Sequence, residues 1–239
     1  MQKKQKIYII YKMRAYITGC AGFVGSNMTE ALLKNNFKVV GVDNLSTGKY
    51  KFIEKFLNNK NFRFFNIDLT DEKEILKTIS NTDYVFHFSA NADVRNGLKQ
   101  PGKDLQQNTI VTSNVLEAMR KSKVKNIIFS STGSIYGEPT IFPTPETAPF
   151  PIQTSLYGAS KIAGESLITS YCYGYGFKAW IFRFVSILGE NYTHGHVYDF
   201  YRSLKKDNSN LKVLGNGKQK KSYLYIKDCI EAILFSIEN

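Results

Sequence analysis

The run Thr18-Gly19-Cys20-Ala21-Gly22-Phe23-Val24-Gly25-Ser26 decides the fold. Glycines recur at 19, 22 and 25, behind the apolar stretch Arg14–Thr18 and ahead of an amphipathic stretch at about 23–35. A chain that turns sharply from strand to helix while its backbone approaches a diphosphate needs residues without a Cβ at this spacing. The anion then rests on the unpaired N–H groups at the helix start. With 17 glycines in 239 residues, a glycine triplet alone is weak evidence; its seat between strand and helix gives it meaning.

Working outward, Lys38–Val42 reads as the second strand and ends at Asp43, 18 residues beyond Gly25. An acid there accepts hydrogen bonds from an adenosine ribose diol and repels a 2′-phosphate, which favours NAD over NADP. The alternative is a structural Asp capping the turn Asp-Asn-Leu-Ser-Thr-Gly.

The alternation continues. Phe62–Ile67, Tyr84–Phe88, Asn126–Ser130 and Lys178–Val185 are short, rich in β-branched or aromatic residues and bounded by turn residues. Helical patterns lie at about 71–80, 105–121 and 157–173; in the second, Ile110, Val111, Asn114, Val115, Ala118 and Met119 fall near 3–4 spacing. Strands alternating with helices predict βαβ units in an α/β fold, a doubly wound parallel sheet with helices on both faces. Five of the six prolines fall within 139–151, which marks a long loop running into the helix near Tyr157.

Composition bounds the partners. The net charge of +12 comes from 32 basic and 20 acidic residues, but only 6 of the basic ones are Arg, the preferred reader of base edges and phosphates. Nucleic acid is therefore not expected, and an anionic small ligand is the functional alternative to plain compositional bias. No apolar run reaches the ~18–20 residues of a membrane span. Cys20, Cys172 and Cys229 are far apart and odd in number, which gives no disulfide framework or zinc site and suits a reducing, cytoplasmic compartment. His194-Gly195-His196 has no third ligand at suitable spacing, so no metal is expected. Residues 1–12 are basic and then briefly apolar, too short for a signal peptide; they read as an N-terminal extension, with Met13 opening the domain.

Tyr157 and Lys161 fall one turn apart on one helical face. A free phenol has a pKa near ~10, and a neighbouring Lys⁺ together with the positive nicotinamide favours the phenolate, making Tyr157 a candidate general acid/base. Four Tyr-x-x-x-Lys matches occur, and only this one opens a helix after the fifth strand and its loop. That strand ends Ser130-Ser131-Thr132-Gly133-Ser134, at the sheet edge where ligands of such folds bind. Thr132 can share a hydrogen bond with the same substrate hydroxyl.

Taken together these motifs resemble the extended short-chain dehydrogenase/reductase superfamily, in its NAD-dependent nucleotide-sugar epimerase/dehydratase branch, over about Met13 to the C-terminus. TGCAGFVGS resembles the family's glycine turn and VDNLSTG its ribose loop, which brings Phe23, Val24, Asn44, Ser46, Thr47 and Gly48 beside the glycines and Asp43 as cofactor contacts. Asp68-Leu69 resembles the adenine contact. HFSAN, with Phe88, Ser89 and Ala90, resembles the segment beside the nicotinamide ribose, with Asn108 and Ser130 nearby. Thr132 precedes Tyr157 by 25 residues, as the family's Ser/Thr precedes its Tyr. The implied catalytic set is Thr132, Tyr157 and Lys161: proton removal from a sugar 4-hydroxyl, hydride transfer to NAD, turnover of the 4-keto sugar, and return to the other face.

The resemblance also sorts the chemistry. The 4,6-dehydratases usually carry an Asp-Glu pair after the catalytic Thr; here Gly133 and Ser134 stand there, as in UDP-glucose 4-epimerases. The implied substrate is a nucleotide-diphosphate sugar, a UDP-hexose, with Arg95, Ser134, Ser186, His196 and Lys221 as further contacts. Ser186 replaces a substrate-binding Asn, Ala92 stands where some 4-epimerases place a Lys, and Lys221 falls at a diphosphate-binding Arg. A homodimer formed by two long helices is also implied. The expected organisation is an extension at 1–12, an NAD-binding domain at 13–178, and at 179–239 the last core strand with a small, truncated substrate-binding part. Two rival readings stay open: another nucleotide-sugar epimerase or dehydratase, and a non-catalytic NAD-binding protein.

Overall fold

The computed structural model describes residues 13–91, 99–150, 152–213, 216–218 and 220–238. The expected extension at 1–12 and the candidate Arg95, with Ala92 and Asp93, lie outside them. Six parallel strands form the main sheet: β1 (Arg14–Thr18), β2 (Lys38–Asp43), β3 (Phe62–Asn66), β4 (Tyr84–His87), β5 (Asn126–Thr132) and β6 (Lys178–Phe184), in the order β3-β2-β1-β4-β5-β6. The order reverses between β1 and β4, the switch point at which ligands of doubly wound sheets bind.

Side-chain alternation along the strands divides the core in two. Ala15 and Ile17 of β1, Phe86 of β4 and Ile128 of β5 face one apolar cluster; Tyr16, Val85, Ile127 and Phe129 face the other. The central strands therefore read as continuous apolar runs, because both faces are covered. On the first face lies α1 (Phe23–Lys34), with Met28 and Leu32 buried. On the second lie α2 (Glu72–Thr78), α4 (Val111–Lys121) and α5 (Leu156–Tyr175).

The predicted helix at 105–121 differs in detail. It begins as α3 (Pro101–Asp104), passes through a π-helical segment (Leu105–Ile110) and continues as α4. A π segment inserts an extra residue into the α-helical repeat, so an apolar pattern read at 3.6 spacing does not register it.

Beyond the sheet come β7 (Ser186–Leu188) and β8 (Tyr223–Tyr225), paired parallel as a small second sheet, then α6 (His196–Lys206) between them and α7 (Ile226–Glu238) after β8. The division expected after residue 178 falls inside β6, which pairs with β5 along its whole length. Helix α7 returns to the first face: Ile226, Cys229, Ile230 and Ile233 are buried in the same cluster as Met28 and Leu32.

Candidate active site

The cleft opens where β1 feeds α1. Gly19 has φ +69°, and a Cβ there would lie 2.9 Å from the Ser89 amide nitrogen; one on Gly25 would lie 2.1 Å from the Gly19 carbonyl oxygen. Only glycines let these backbones meet. Gly22 is the N-cap of α1 and no side chain caps the helix, so its first-turn amides are left for an anion.

The expected cofactor residues largely converge. Gly19, Gly22, Asp43, Asn44, Ser46, Thr47, Gly48, Phe88, Ser89 and Ala90 line one cleft, joined by Gln107 from the π segment. Gln107 is the residue that sequence reasoning misses, although it adjoins the expected Asn108. Asp43 has the structural role given as its alternative reading: its carboxylate accepts from the amides of Ala21 (3.0 Å) and Leu45 (2.8 Å), bracing the glycine turn, and it also lines the cleft. Burial raises this carboxyl above the ordinary range, against those two donors. Asn44 donates to Asp68 at 2.9 Å, tying the loop after β2 to the segment that carries Leu69, which is buried.

A dinucleotide fits these residues on three grounds: the glycine cradle a Cβ would fill, the uncapped helix start, and an acid at the end of β2. Asn108 sits behind the cleft. Its Oδ1 accepts from the Asn91 amide at 2.7 Å and its Nδ2 donates to Ser160 Oγ at 2.8 Å; Ser160 in turn donates to the Tyr157 carbonyl. Buried Asp104 accepts from Asn91 Nδ2 at 2.7 Å, and its Oδ2 has no partner among the described residues. The π segment thus connects the wall after β4 to the helix that carries Tyr157.

The catalytic candidates stand around the ends of β5 and α5. Ser155 caps α5 by accepting from the Gly158 amide at 3.0 Å, which fixes the turn holding Tyr157. Thr132 ends β5 and accepts from the Ser134 amide at 3.1 Å, opening a 3-10 turn over Gly133–Tyr136. Lys161 is 2 % exposed; its Nζ donates to the Ser130 carbonyl at 2.7 Å and lies 4.7 Å from the Phe129 ring centroid.

Burial sets the electrostatics of the pair. Burial pushes the Tyr157 phenol up to about 12; the Thr132 hydroxyl opposes the rise and the Asp104 carboxylate adds to it. Burial drives the Lys161 amine down to about 7, with Glu165 pulling it back up.

Among the described residues, the substrate-side candidates Ser134, Ser186, His196 and Lys221 do not line the cleft. Ser134 is exposed beside Thr132, at 3.2 Å between hydroxyls. Ser186 is half-buried in β7, His196 hydrogen-bonds the Tyr223 hydroxyl, and Lys221 is exposed before β8. Among the described residues no group of three or more His, Cys, Asp or Glu could hold a metal, and no helix is long and apolar enough to cross a membrane.

Known proteins are similar to this chain in sequence and fold. The family model described as "NAD dependent epimerase/dehydratase family" matches residues 15–239. The UDP-glucuronate 4-epimerase of Thermodesulfobacterium geofontis is 32% identical over 231 residues, covering 93% of this chain and 71% of that protein. A crystal structure of a UDP-galactose 4-epimerase superposes with a TM-score of 0.85 at 35% identity, covering 95% of this chain and 72% of that one. The Thermotoga maritima UDP-glucose 4-epimerase, solved with UDP-glucose, gives 0.86 at 32% identity, covering 95% and 74%. With the family model matched along nearly its whole length, this chain belongs to the NAD-dependent epimerase/dehydratase family.

Proposed function

We propose that this chain is a nucleotide-sugar 4-epimerase acting on a UDP-hexose. The observation that carries the reading is the turn after β5. Thr132 is followed by Gly133 and Ser134, whose amide and hydroxyl bond the threonine, and no carboxylate stands there to drive elimination of water. The three similar proteins described above are named as 4-epimerases of UDP-sugars, which supports the same choice.

The glycine turn and the start of α1 hold the diphosphate of NAD, with Phe23, Val24 and Gly25 offering amides. Asp43 takes the adenosine ribose, Asp68 and Leu69 flank the adenine, and Lys161 takes the nicotinamide ribose with Asn108 and Ser130 behind it. Bound NAD supplies a positive charge beside the phenol and a reversible acceptor for hydride from sugar C4. Tyr157 takes the proton of the 4-hydroxyl, with Thr132 bridging to the same oxygen, and returns it once the 4-keto sugar has presented its other face. The phenol is partly buried, which limits the water that competes for the proton. Ser134, Ser186, His196, Lys221 and Arg95 are the substrate-side candidates.

Two copies are proposed to pair through the α3–α4 run and α5, whose exposed Leu105, Ile110, Tyr173 and Tyr175 give an apolar surface; sedimentation of the chain tests this. Buried, unpaired Cys20 and Cys229 suit a reducing cytoplasm.

The deciding experiment is to offer UDP-glucose and UDP-glucuronate to the NAD-loaded chain and identify the product. Inversion at C4 is expected, and Tyr157→Phe should lower kcat by about 10²–10⁴-fold with NAD retained. A lasting keto sugar, loss of water, or full activity in that variant overturns the reading.

A further inference from the structure

Arg183 of β6 bonds in two directions at the end of the sheet. One edge of its guanidinium grips Glu165 of α5, Nη2 to Oε2 at 2.9 Å and Nε to the two carboxylate oxygens at 3.2 and 3.3 Å. Its remaining nitrogen, Nη1, reaches elsewhere, donating to the Tyr136 hydroxyl at 2.6 Å and to the Glu146 carbonyl at 2.8 Å. Its central carbon lies 5.3 Å from the Tyr136 ring centroid and 5.1 Å from that of Phe150, in the proline-rich loop. A lysine could pair with Glu165, but only a planar fork offers a second, oriented set of donors.

That second set acts on the turn opened by Thr132. The turn runs Gly133–Tyr136 with Thr132 as its N-cap, and Thr132 Oγ1 accepts from the Ser134 amide at 3.1 Å. Arg183 holds this turn at both ends. In the sheet register Arg183 lies opposite Ser131 and Phe184 opposite Thr132, so β6 fixes the strand end from which the turn departs. The Arg183 side chain then fixes Tyr136, the turn's last residue, which is buried. Between the ends, Gln153 donates to the Ile135 carbonyl at 2.7 Å from the segment that leads into α5. A 3-10 turn has poor hydrogen-bond geometry of its own, so its shape depends on what holds its ends. Thr132 and Tyr157 stand on different elements, yet the proposed chemistry brings both hydroxyls to one substrate oxygen. Arg183 is bonded to both elements, to α5 through Glu165 and to the turn through Tyr136.

Resting on the epimerase reading, we propose that Arg183 is a positioning residue that sets the Thr132 hydroxyl against Tyr157, acting through the hydroxyl of Tyr136. Glu165 anchors the guanidinium to α5, and the opposite edge carries that anchor across to the turn.

The test uses the full, NAD-loaded chain with Tyr136→Phe, which removes one hydroxyl and leaves the Glu165 pair and the Glu146 contact standing. For whichever UDP-sugar the chain inverts, kcat is expected to fall about tenfold or more, with KM and bound NAD little changed. In a Thr132→Ala background the same substitution should cost less than about twofold, because the group it positions is gone. A merely structural role would lower both backgrounds alike. Hydrogen exchange of the Ser134 amide, whose acceptor is Thr132 Oγ1, needs no substrate and should quicken about tenfold. Arg183→Lys keeps a charge for Glu165 but loses the second set of donors; it should reproduce all of these effects, and it replaces Tyr136→Phe should that variant fail to fold. Unchanged Ser134 exchange, unchanged kcat, or equal losses with and without Thr132 overturns the inference. If the unsubstituted chain turns over no UDP-sugar, the epimerase reading falls, and Ser134 exchange alone decides whether Arg183 sets the turn.

Discussion

Gly25 and His87 show how far single positions constrain this molecule. A Cβ at Gly25 would sit 2.1 Å from the Gly19 carbonyl oxygen, backbone against backbone, with no flexible side chain to yield. Gly25→Ala should therefore cost about 1–3 kcal/mol of stability and weaken NAD binding by about tenfold or more, checked by denaturant unfolding and cofactor titration. His87 is fully buried, and burial lowers its imidazole to about 3 from its ordinary value of 6.5, with Lys161 adding to the effect. Between those pH values the unfolded chain binds a proton that the folded chain refuses. Stability should thus fall as pH drops from 6.5 towards 3, and His87→Gln should flatten that slope in melting curves taken across the window. The glycine spacing and Asp43 were legible because each answers a backbone demand visible one residue at a time. The Glu165–Arg183 pair was not, since it joins a helix to a strand and nothing in either segment marks its partner.

At the scale of elements, the segment from Pro101 to Lys121 is the informative one. Its apolar spacing predicted a helix, and a helix is there. The π segment inside it was invisible, because the apolar positions that marked the helix, from Ile110 to Met119, begin where that segment ends. Within that segment Gln107 lines the cleft and Asn108 sits between Asn91 and Ser160. Asn108→Ala should leave the buried Asn91 amide without its acceptor and cost about 1–3 kcal/mol, read as lower melting and as faster hydrogen exchange at Asn91. Unchanged exchange there would show that the π segment does not hold the wall after β4. The short strands β7 and β8, of three residues each, fall below the length at which alternation can be read.

For the whole molecule, the strand–helix alternation was enough to predict a doubly wound parallel sheet; the order β3-β2-β1-β4-β5-β6 carries it out. What alternation could not give is where the last helix packs. Ile226, Cys229, Ile230 and Ile233 recur at 3–4 spacing, so a helix was there to be read, but its destination depends on contacts with α1, two hundred residues earlier in the chain. Because Ile233 is fully buried in the shared cluster, Ile233→Ala should cost about 2–5 kcal/mol and lower Tm by roughly 5–15 °C. A shift confined to local exchange within α7, without a change in global melting, would mean that this helix is not part of the cooperative core.

The histidine at the floor of the sheet has one more consequence. Thr112 gives its single hydroxyl proton to the Asn108 carbonyl, so towards His87 Nε2 it can only accept. Thr18 already receives the Phe88 and Ser89 amides, and its own proton goes to His87 Nδ1. The chain of donors therefore runs one way, from β1 through the ring to α4, and fixes a single tautomer. Adding a proton to the ring would leave the Thr18 hydroxyl with nowhere to point, directly beneath the two amides at the edge of the cofactor groove. Acid should thus loosen the nucleotide seat before it melts the sheet.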